Sequence, residues 1–250
     1  MKLCAVIPVY NHEQAIGQVV QALQAHNLPV ILVDDGSTAA CAHVLDDLAT
    51  WPGVTLSRHE QNQGKGGAVI TGMRLAGKLG YTHALQIDSD GQHDIGDLPH
   101  IVATAQAYPD AVIAGYPIYD ESVPKSRYYG RYATHIWVWI NTLSLRIKDS
   151  MCGFRIYPLP ATLALVDRVH IGRRMDFDAE ILVRLDWRGV PIINVPTHVR
   201  YPLDGVSHFN LWHDNMLISL MHTRLFLGML PRLPKLLWRV LRGHGGMRSA

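Results

Sequence analysis

Apolar residues in this chain fall in short runs that stop abruptly in polar clusters. Leu3–Val9 is the first, a predicted buried strand closing in Pro8-Val-Tyr-Asn11. Helical spacing follows over Glu13–Ala25 at Ile16, Val19, Val20 and Leu23. Val30–Val33 predicts a second strand, ending in Asp34-Asp-Gly-Ser-Thr38, where Ser37 or Thr38 caps a helix to about Ala49. Val54–Ser57 predicts a third strand, and Asn62-Gln-Gly-Lys-Gly-Gly67 opens a helix through Ala68, Ile70, Met73 and Leu79. His83–Ile87 predicts a fourth strand, Leu98–Ala107 a helix, and Ala111–Ala114 a fifth strand. Strands alternating with helices at this rhythm imply a mostly parallel α/β sheet flanked by helices. Ligands in such sheets bind beyond the carboxyl ends of the strands. Tyr10-Asn11, Asp34–Ser37 and Asp88–His93 all occupy such ends.

From Tyr116 the rhythm breaks. Pro117–Arg131 reads as a long loop in which Lys125, Arg127 and Arg131 stand among tyrosines, a composition suited to an anionic partner. Ala133–Leu145 predicts an apolar helix, interrupted afterwards by Asp149-Ser-Met-Cys-Gly-Phe-Arg155. Leu163–Val166 and Phe177–Leu185 predict helices and Ile192–Val195 a late strand. Residues 209–250 differ in character, with apolar positions interleaved by Lys and Arg and two tryptophans. They are expected to form an amphipathic helical tail on a catalytic domain of residues 1–208. A basic, Trp-bearing tail suits an anionic membrane surface, and the alternative is a helix packed on the domain.

Composition narrows the class. At 48% hydrophobic and 18% charged, 250 residues can bury a substantial core. A net charge of +2 gives no ground for a nucleic-acid partner. Cys4, Cys41 and Cys152 have no metal-ligand spacing and suit a reducing cytoplasm. The start of the chain lacks a signal-peptide core, and no run reaches 18 uninterrupted apolar residues. The expected location is therefore cytoplasmic, at the inner face of the cytoplasmic membrane.

The chemistry concentrates at Asp88-Ser-Asp-Gly-Gln-His93. In extended backbone Asp88 and Asp90 point the same way, about 6–7 Å apart. Such a pair repels itself unless a cation sits between its members. Mg2+ or Mn2+, held by carboxylates, the Gln92 amide oxygen and substrate phosphates, resolves that tension. Gly64-Lys-Gly66 opens a helix, where backbone N–H groups and Lys65 suit a phosphate, although the order of a Walker A loop is absent.

Taken in order, Pro8-Val-Tyr-Asn11, Asp34-Asp-Gly-Ser37, Gly64-Lys-Gly66, Asp88–His93 and Asp149–Arg155 resemble family 2 glycosyltransferases, over roughly residues 3–208. The similarity is greatest to the dolichyl- or polyprenyl-phosphate mannosyl- and glucosyltransferase branch. The resemblance implies a GT-A fold, a UDP- or GDP-hexose donor, a divalent metal and inversion at the anomeric carbon. It assigns Pro8, Tyr10, Asn11, Glu13, Asp35, Gly36, Lys65 and Ser89 to the nucleotide sugar. Asp88, Asp90 and Gln92 fall to the metal, and Asp88, Asp90, Asp149 and Arg155 form the catalytic set. Lys125, Arg127 and Arg131 fall where the family receives a polyprenyl phosphate. One departure is His12, which intervenes where the family places Glu directly after Asn. A hydroxyl acceptor would instead require a base, with Asp149, Asp178 and Glu180 as candidates. A sugar nucleotidyltransferase or a non-catalytic nucleotide-sugar-binding protein would use a similar sheet.

Overall fold

In the computed structural model the described residues are 1–119, 125–199 and 210–242, with the side chains at 119 and 125–130 outside the description. The first half follows the expected alternation: β1 (Leu3–Val9), α1 (Ile16–Ala25), β2 (Val30–Asp34), α2 (Ala39–Ala49), β3 (Val54–Arg58), α3 (Lys65–Lys78), β4 (His83–Gln86) and α4 (Leu98–Ala107). The second half adds β5 (Val112–Tyr119), α5 (Lys125–Thr142), β6 (Arg155–Pro158), α6 (Leu159–Val166), α7 (Phe177–Trp187), β7 (Ile192–Val199), α8 (Leu211–Met229) and α9 (Leu233–Leu241).

Seven strands form one sheet in the order β3-β2-β1-β4-β6-β5-β7. Every pairing is parallel except those of β6, which runs against both β4 and β5. Side-chain alternation divides the core. Ala5, Ile7 and Val9 join Ile16, Leu45 and Ile101 on one face of the sheet. Cys4, Val6, Ile31 and Val33 meet Met73, Phe177 and Leu182 on the other.

Two expectations need correction. Pro117–Arg131 is not a long loop, because β5 runs on to Tyr119 and α5 begins at Lys125. Pro117 is tolerated in the strand for a positional reason. Gly115 donates its N–H to Phe154 of the β6 side at 2.9 Å, and β6 offers no partner beyond that point. Pro117, two residues on, would face the same side, so its missing N–H costs no ladder bond. The second correction is β6 itself, a strand that the alternation does not predict. Its direction matters, because an antiparallel strand brings its amino end, and with it Asp149–Phe154, to the edge where β4 and β5 end.

Residues of the expected tail enter the core. Met221, Leu225, Met229 and Leu236 are buried against α5 and α7. Among the described residues no helix is long and apolar enough to cross a membrane.

Candidate active site

The carboxyl ends of β1 and β2 are tied together by short polar contacts. Asn11 adopts φ +55°, and its Oδ1 accepts the Thr38 N–H at 2.8 Å. Its own N–H donates to Ser37 Oγ at 3.2 Å. Asp34 accepts from the Ser37 N–H at 2.9 Å and from Arg58 Nε at 2.7 Å. Asp35 is saturated by its own chain, accepting the Gln63 and Gly64 N–H groups at 2.8 Å each, with His59 Nδ1 at 2.7 Å. It thereby fixes the loop that delivers Lys65. Gly36 has φ +75°, and a Cβ there would overlap the Asn62 backbone nitrogen. Of the residues assigned to a nucleotide sugar, Tyr10, Asn11, Asp35 and Gly36 thus lie together. Pro8 is buried in the ladder opposite Val33, and Ser89 is buried beside Asp88. Glu13 is half-buried, and its Oε2 has no hydrogen-bond partner among the described residues.

The centre of the site is a chain of alternating charges. Lys65, the first residue of α3, places Nζ 2.7 Å from Asp88 Oδ1 and 2.9 Å from Asp178 Oδ2. Asp178, in the first turn of α7, also accepts from Gln86 Nε2 at 2.8 Å. Arg155, fully buried, donates through Nη1 to the Asp178 carbonyl at 2.6 Å and to the Tyr157 hydroxyl at 3.3 Å. Arg155 therefore supports the site from behind, through α7. Burial opposes the Lys65 charge, but Asp178 and Asp88 outweigh it and raise its pKa. Asp88 shows the converse: burial opposes its charge, and Lys65 together with His93 nonetheless holds its carboxyl well below the usual range. Burial, then the neighbouring Asp88 charge, pushes Asp90 upward.

Gly153 locks the second motif to the first. Any Cβ at that position would overlap the Asp88 carboxylate. His93 Nε2 stands 3.7 Å from Asp88 Oδ2, and its ring stacks on Phe154 with centroids 5.4 Å apart. Among the described residues no group of three His, Cys, Asp or Glu forms a ready-made metal cage. The donors do fit a hard divalent ion that keeps waters or takes substrate oxygens. Asp90 is a half-buried carboxylate whose anion is disfavoured by burial and then by the Asp88 charge, and among the described residues its Oδ1 accepts only the Gln92 N–H, at 3.0 Å.

Asp149 forms a separate cluster. Arg131 Nη2 is 3.0 Å from both carboxylate oxygens, and the Met151 and Cys152 N–H groups donate to Oδ1 at 2.8 and 2.6 Å. His135 Nε2 lies 3.3 Å from Oδ2, with its Nδ1 3.1 Å from Ser150 Oγ. Burial opposes ionisation here too, yet the Arg131 charge and His135 hold the Asp149 carboxyl low. Glu180 is buried between Arg184, Arg224 and the Gly172 N–H. Lys125 and Arg127 begin α5, and their side chains lie outside the described residues. The polar anchors Gln86, Asp178 and Arg155 carry a visible signal, polar residues inside otherwise apolar runs, but their mutual contact does not follow from it.

Comparison with known proteins now decides the family. The model of "Glycosyl transferase family 2" matches residues 4–171. The chain belongs to the family 2 glycosyltransferases. This glycosyltransferase is 28% identical over 213 residues to a UDP-N-acetylglucosamine–dolichyl-phosphate N-acetylglucosaminyltransferase of Methanococcus voltae, covering 78% of this chain and 84% of the relative. It is 27% identical over 203 residues to the undecaprenyl-phosphate mannosyltransferase of Micrococcus luteus, covering 78% and 82%. In fold it resembles glucosyl-3-phosphoglycerate synthase of Mycobacterium tuberculosis, solved with Mn2+ and UDP-glucose. The TM-score is 0.65 at 16% identity, over 92% of this chain and 78% of that one. The expected GT-A architecture is thus the observed one.

Proposed function

We propose that this glycosyltransferase moves a hexose from UDP or GDP to a polyprenyl phosphate, with inversion, and uses Mg2+ or Mn2+. The observation that carries this reading is the state of the acids. Asp149, Asp178 and Glu180, the residues that could serve a hydroxyl acceptor as base, are each held in ion pairs. The Asp149 carboxyl is moreover held well below the usual range, which suits an anion and not a proton acceptor. A phosphate acceptor is already anionic and needs no base. Dolichyl- and undecaprenyl-phosphate enzymes among the relatives support the same acceptor class.

In this reading Tyr10, Asn11, Glu13 and Gly36 border the nucleotide, while Asp35 and Pro8 shape its floor. Asp88, Asp90 and Gln92 would hold the cation, which would supply Lewis-acid neutralisation of the departing diphosphate. Lys65 keeps Asp88 ionised and aimed. An acceptor phosphate oxygen attacks the anomeric carbon from the face opposite the diphosphate. One carbon–oxygen bond forms as the other breaks, and no proton moves. Arg131 brings cationic charge to the acceptor side, and Lys125 and Arg127 stay assigned to the acceptor phosphate on the sequence alone.

The acceptor would be met at the inner membrane surface, and the helices of the carboxyl-terminal segment support this. Beside the buried Met221, Leu225, Met229 and Leu236, they bury charged residues and expose apolar ones. In α8, Asp214 is fully buried against Arg174, while Trp212 is 87% exposed. In α9, Arg239 points inward to Asp186 at 2.6 Å, while Leu237, Trp238 and Leu241 face outward, Leu241 at 81%. Arg232, Lys235 and Arg242 surround this apolar face, which suits anionic headgroups. We accordingly assign residues 1–208 to catalysis and residues 209–250 to packing on the domain and to membrane contact.

A panel of UDP- and GDP-hexoses, each with Mn2+ or Mg2+ and polyprenyl phosphate, tests the proposal by product mass. The expected product is a polyprenyl-phosphate hexose with release of nucleoside diphosphate, lost in Asp90→Ala without loss of fold. Release of pyrophosphate would instead establish a nucleotidyltransferase.

A further inference from the structure

Behind Asp149 the end of β5 and the inner face of α5 enclose a cleft of about 210 Å³, lined by Tyr116, Arg131, His135, Trp139, Lys148 and Asp149. That volume is below the range of drug-sized ligand pockets and far too small for a nucleotide. Arg131 is committed to Asp149. Lys148 is not committed to any acid: its Nζ lies 4.3 Å over the Tyr116 ring and forms no ion pair among the described residues.

Its position is nevertheless fixed. Asn194, fully buried on β7, accepts the Lys148 N–H at 3.0 Å and donates to the Arg146 carbonyl at 2.7 Å, clamping this segment from both sides. The opposite wall is fixed as well, since Trp139 Nε1 donates to the Ile147 carbonyl at 2.8 Å. Among the described residues two cations, Arg131 and Lys148, line the cleft with one carboxylate, Asp149. A half-buried cation on a fixed backbone, over an aromatic ring in a small cleft and with no counter-ion among the described residues, is suited to receive an anion. Gly153, which abuts the Asp88 carboxylate, is four positions on from Asp149. Four positions span at most about 14 Å, so the cleft lies within that reach of the proposed cation site.

We propose that Lys148 is a specificity-determining residue that receives the phosphate of the acceptor in this cleft, with the first prenyl carbons lying against Tyr116 and Trp139. This rests on the reading of the acceptor as a lipid phosphate and assigns to that reading a residue outside the basic α5 segment. Arg131 is held by Asp149, while Lys148 supplies a charge that has no ion-pair partner among the described residues. An uncharged prenol would leave that charge without a partner, so the cleft selects phosphate over alcohol.

Binding of farnesyl phosphate and of farnesol is measured by intrinsic tryptophan fluorescence in the full chain, alongside acceptor and donor kinetics. The wild-type protein is expected to bind farnesyl phosphate and not farnesol. Lys148→Ala is expected to weaken farnesyl phosphate binding and raise the acceptor KM by tenfold or more. Donor KM and melting temperature stay unchanged, and Lys148→Arg restores most of the binding. Equal farnesyl phosphate affinity in wild type and Lys148→Ala would overturn the proposal, as would a wild type that does not bind it. Lys148-dependent binding in an enzyme that transfers sugar only to hydroxyl acceptors would uphold the anion subsite and overturn the reading of the acceptor.

Discussion

Replacing Lys65 by methionine is the sharpest perturbation of the site, because it keeps the aliphatic stem and removes one charge from between two acids. The Nζ contacts of 2.7 and 2.9 Å to Asp88 and Asp178 each correspond to about 6 kcal/mol of attraction at an effective dielectric of ~20. Desolvation of the three ions opposes most of this, and removing one partner of a buried pair typically costs about 3–5 kcal/mol. In a chain of this size each kcal/mol moves the melting temperature by about 2–4 °C, so Lys65→Met should melt roughly 6–20 °C lower in EDTA. Adding Asp178→Asn should return part of the loss, since one uncompensated charge disappears. Mn2+ with UDP should stabilise Lys65→Met more than wild type, because Asp88 no longer has Lys65 as a competing cation. Scanning calorimetry in EDTA and in Mn2+ plus UDP measures all three. A variant melting within about 2 °C of wild type in EDTA would refute the idea that Lys65 holds these acids together.

Other consequences are separable. Gly153→Ala should push the Asp88 carboxylate out of place and lower kcat by about 100-fold, since displacements near 1 Å carry such costs; unchanged kcat would mean that Asp88 moves freely. His222 is buried against Trp137, and burial lowers its pKa to about 4. Its unfolded form binds protons near pH 6.5, so stability is complete above that pH and falls as pH drops towards 4, by about 3 kcal/mol. His222→Leu should flatten this limb in urea titrations at several pH values, and a retained slope would assign it to other groups. Truncation after Asn210 removes the buried side chains of Met221, Leu225, Met229 and Leu236, worth roughly 6–12 kcal/mol together, as much as many domains possess. Circular dichroism should therefore show an unfolded chain, not a soluble enzyme released from membranes.

The parallel half of the fold is legible because its strands are continuous apolar runs that end in Asn, Asp and Gly. Periodicity and turn chemistry point the same way there. β6 escapes that logic. Only four residues long, it carries Arg155 at its first position, fully buried. A charge at the centre of a sheet reads as surface until the acid that neutralises it is known. That acid is Asp178, 23 residues later, whose carboxylate Oδ1 lies 3.8 Å from Arg155 Nη1 while its backbone carbonyl accepts from the same nitrogen at 2.6 Å. Pro117 misleads for a related reason, since a proline breaks a ladder only where a partner strand exists to receive its N–H.

The site divides along the same line. Asp88, Asp90 and Asp35 are legible as chemistry because strand-end geometry alone brings them to one edge. The ion pairs that hold the acids of the site are not, because the partners are remote in sequence: Lys65 for Asp88, His59 for Asp35 and Arg131 for Asp149. The carboxyl-terminal helices show the limit most clearly. The amphipathic spacing of α9 is plain from Leu236, Leu237, Trp238, Val240 and Leu241, but spacing carries no sign and does not say which face turns inward. Asp186 supplies the sign. Buried on α7, it draws Arg239 to itself at 2.6 Å and so rotates most of the apolar face of α9 outward. If α9 meets the membrane as proposed, Asp186→Leu should free Arg239 and weaken liposome binding without touching an outward-facing residue. Unchanged sedimentation with anionic vesicles would show that α9 takes its orientation from Leu236 alone.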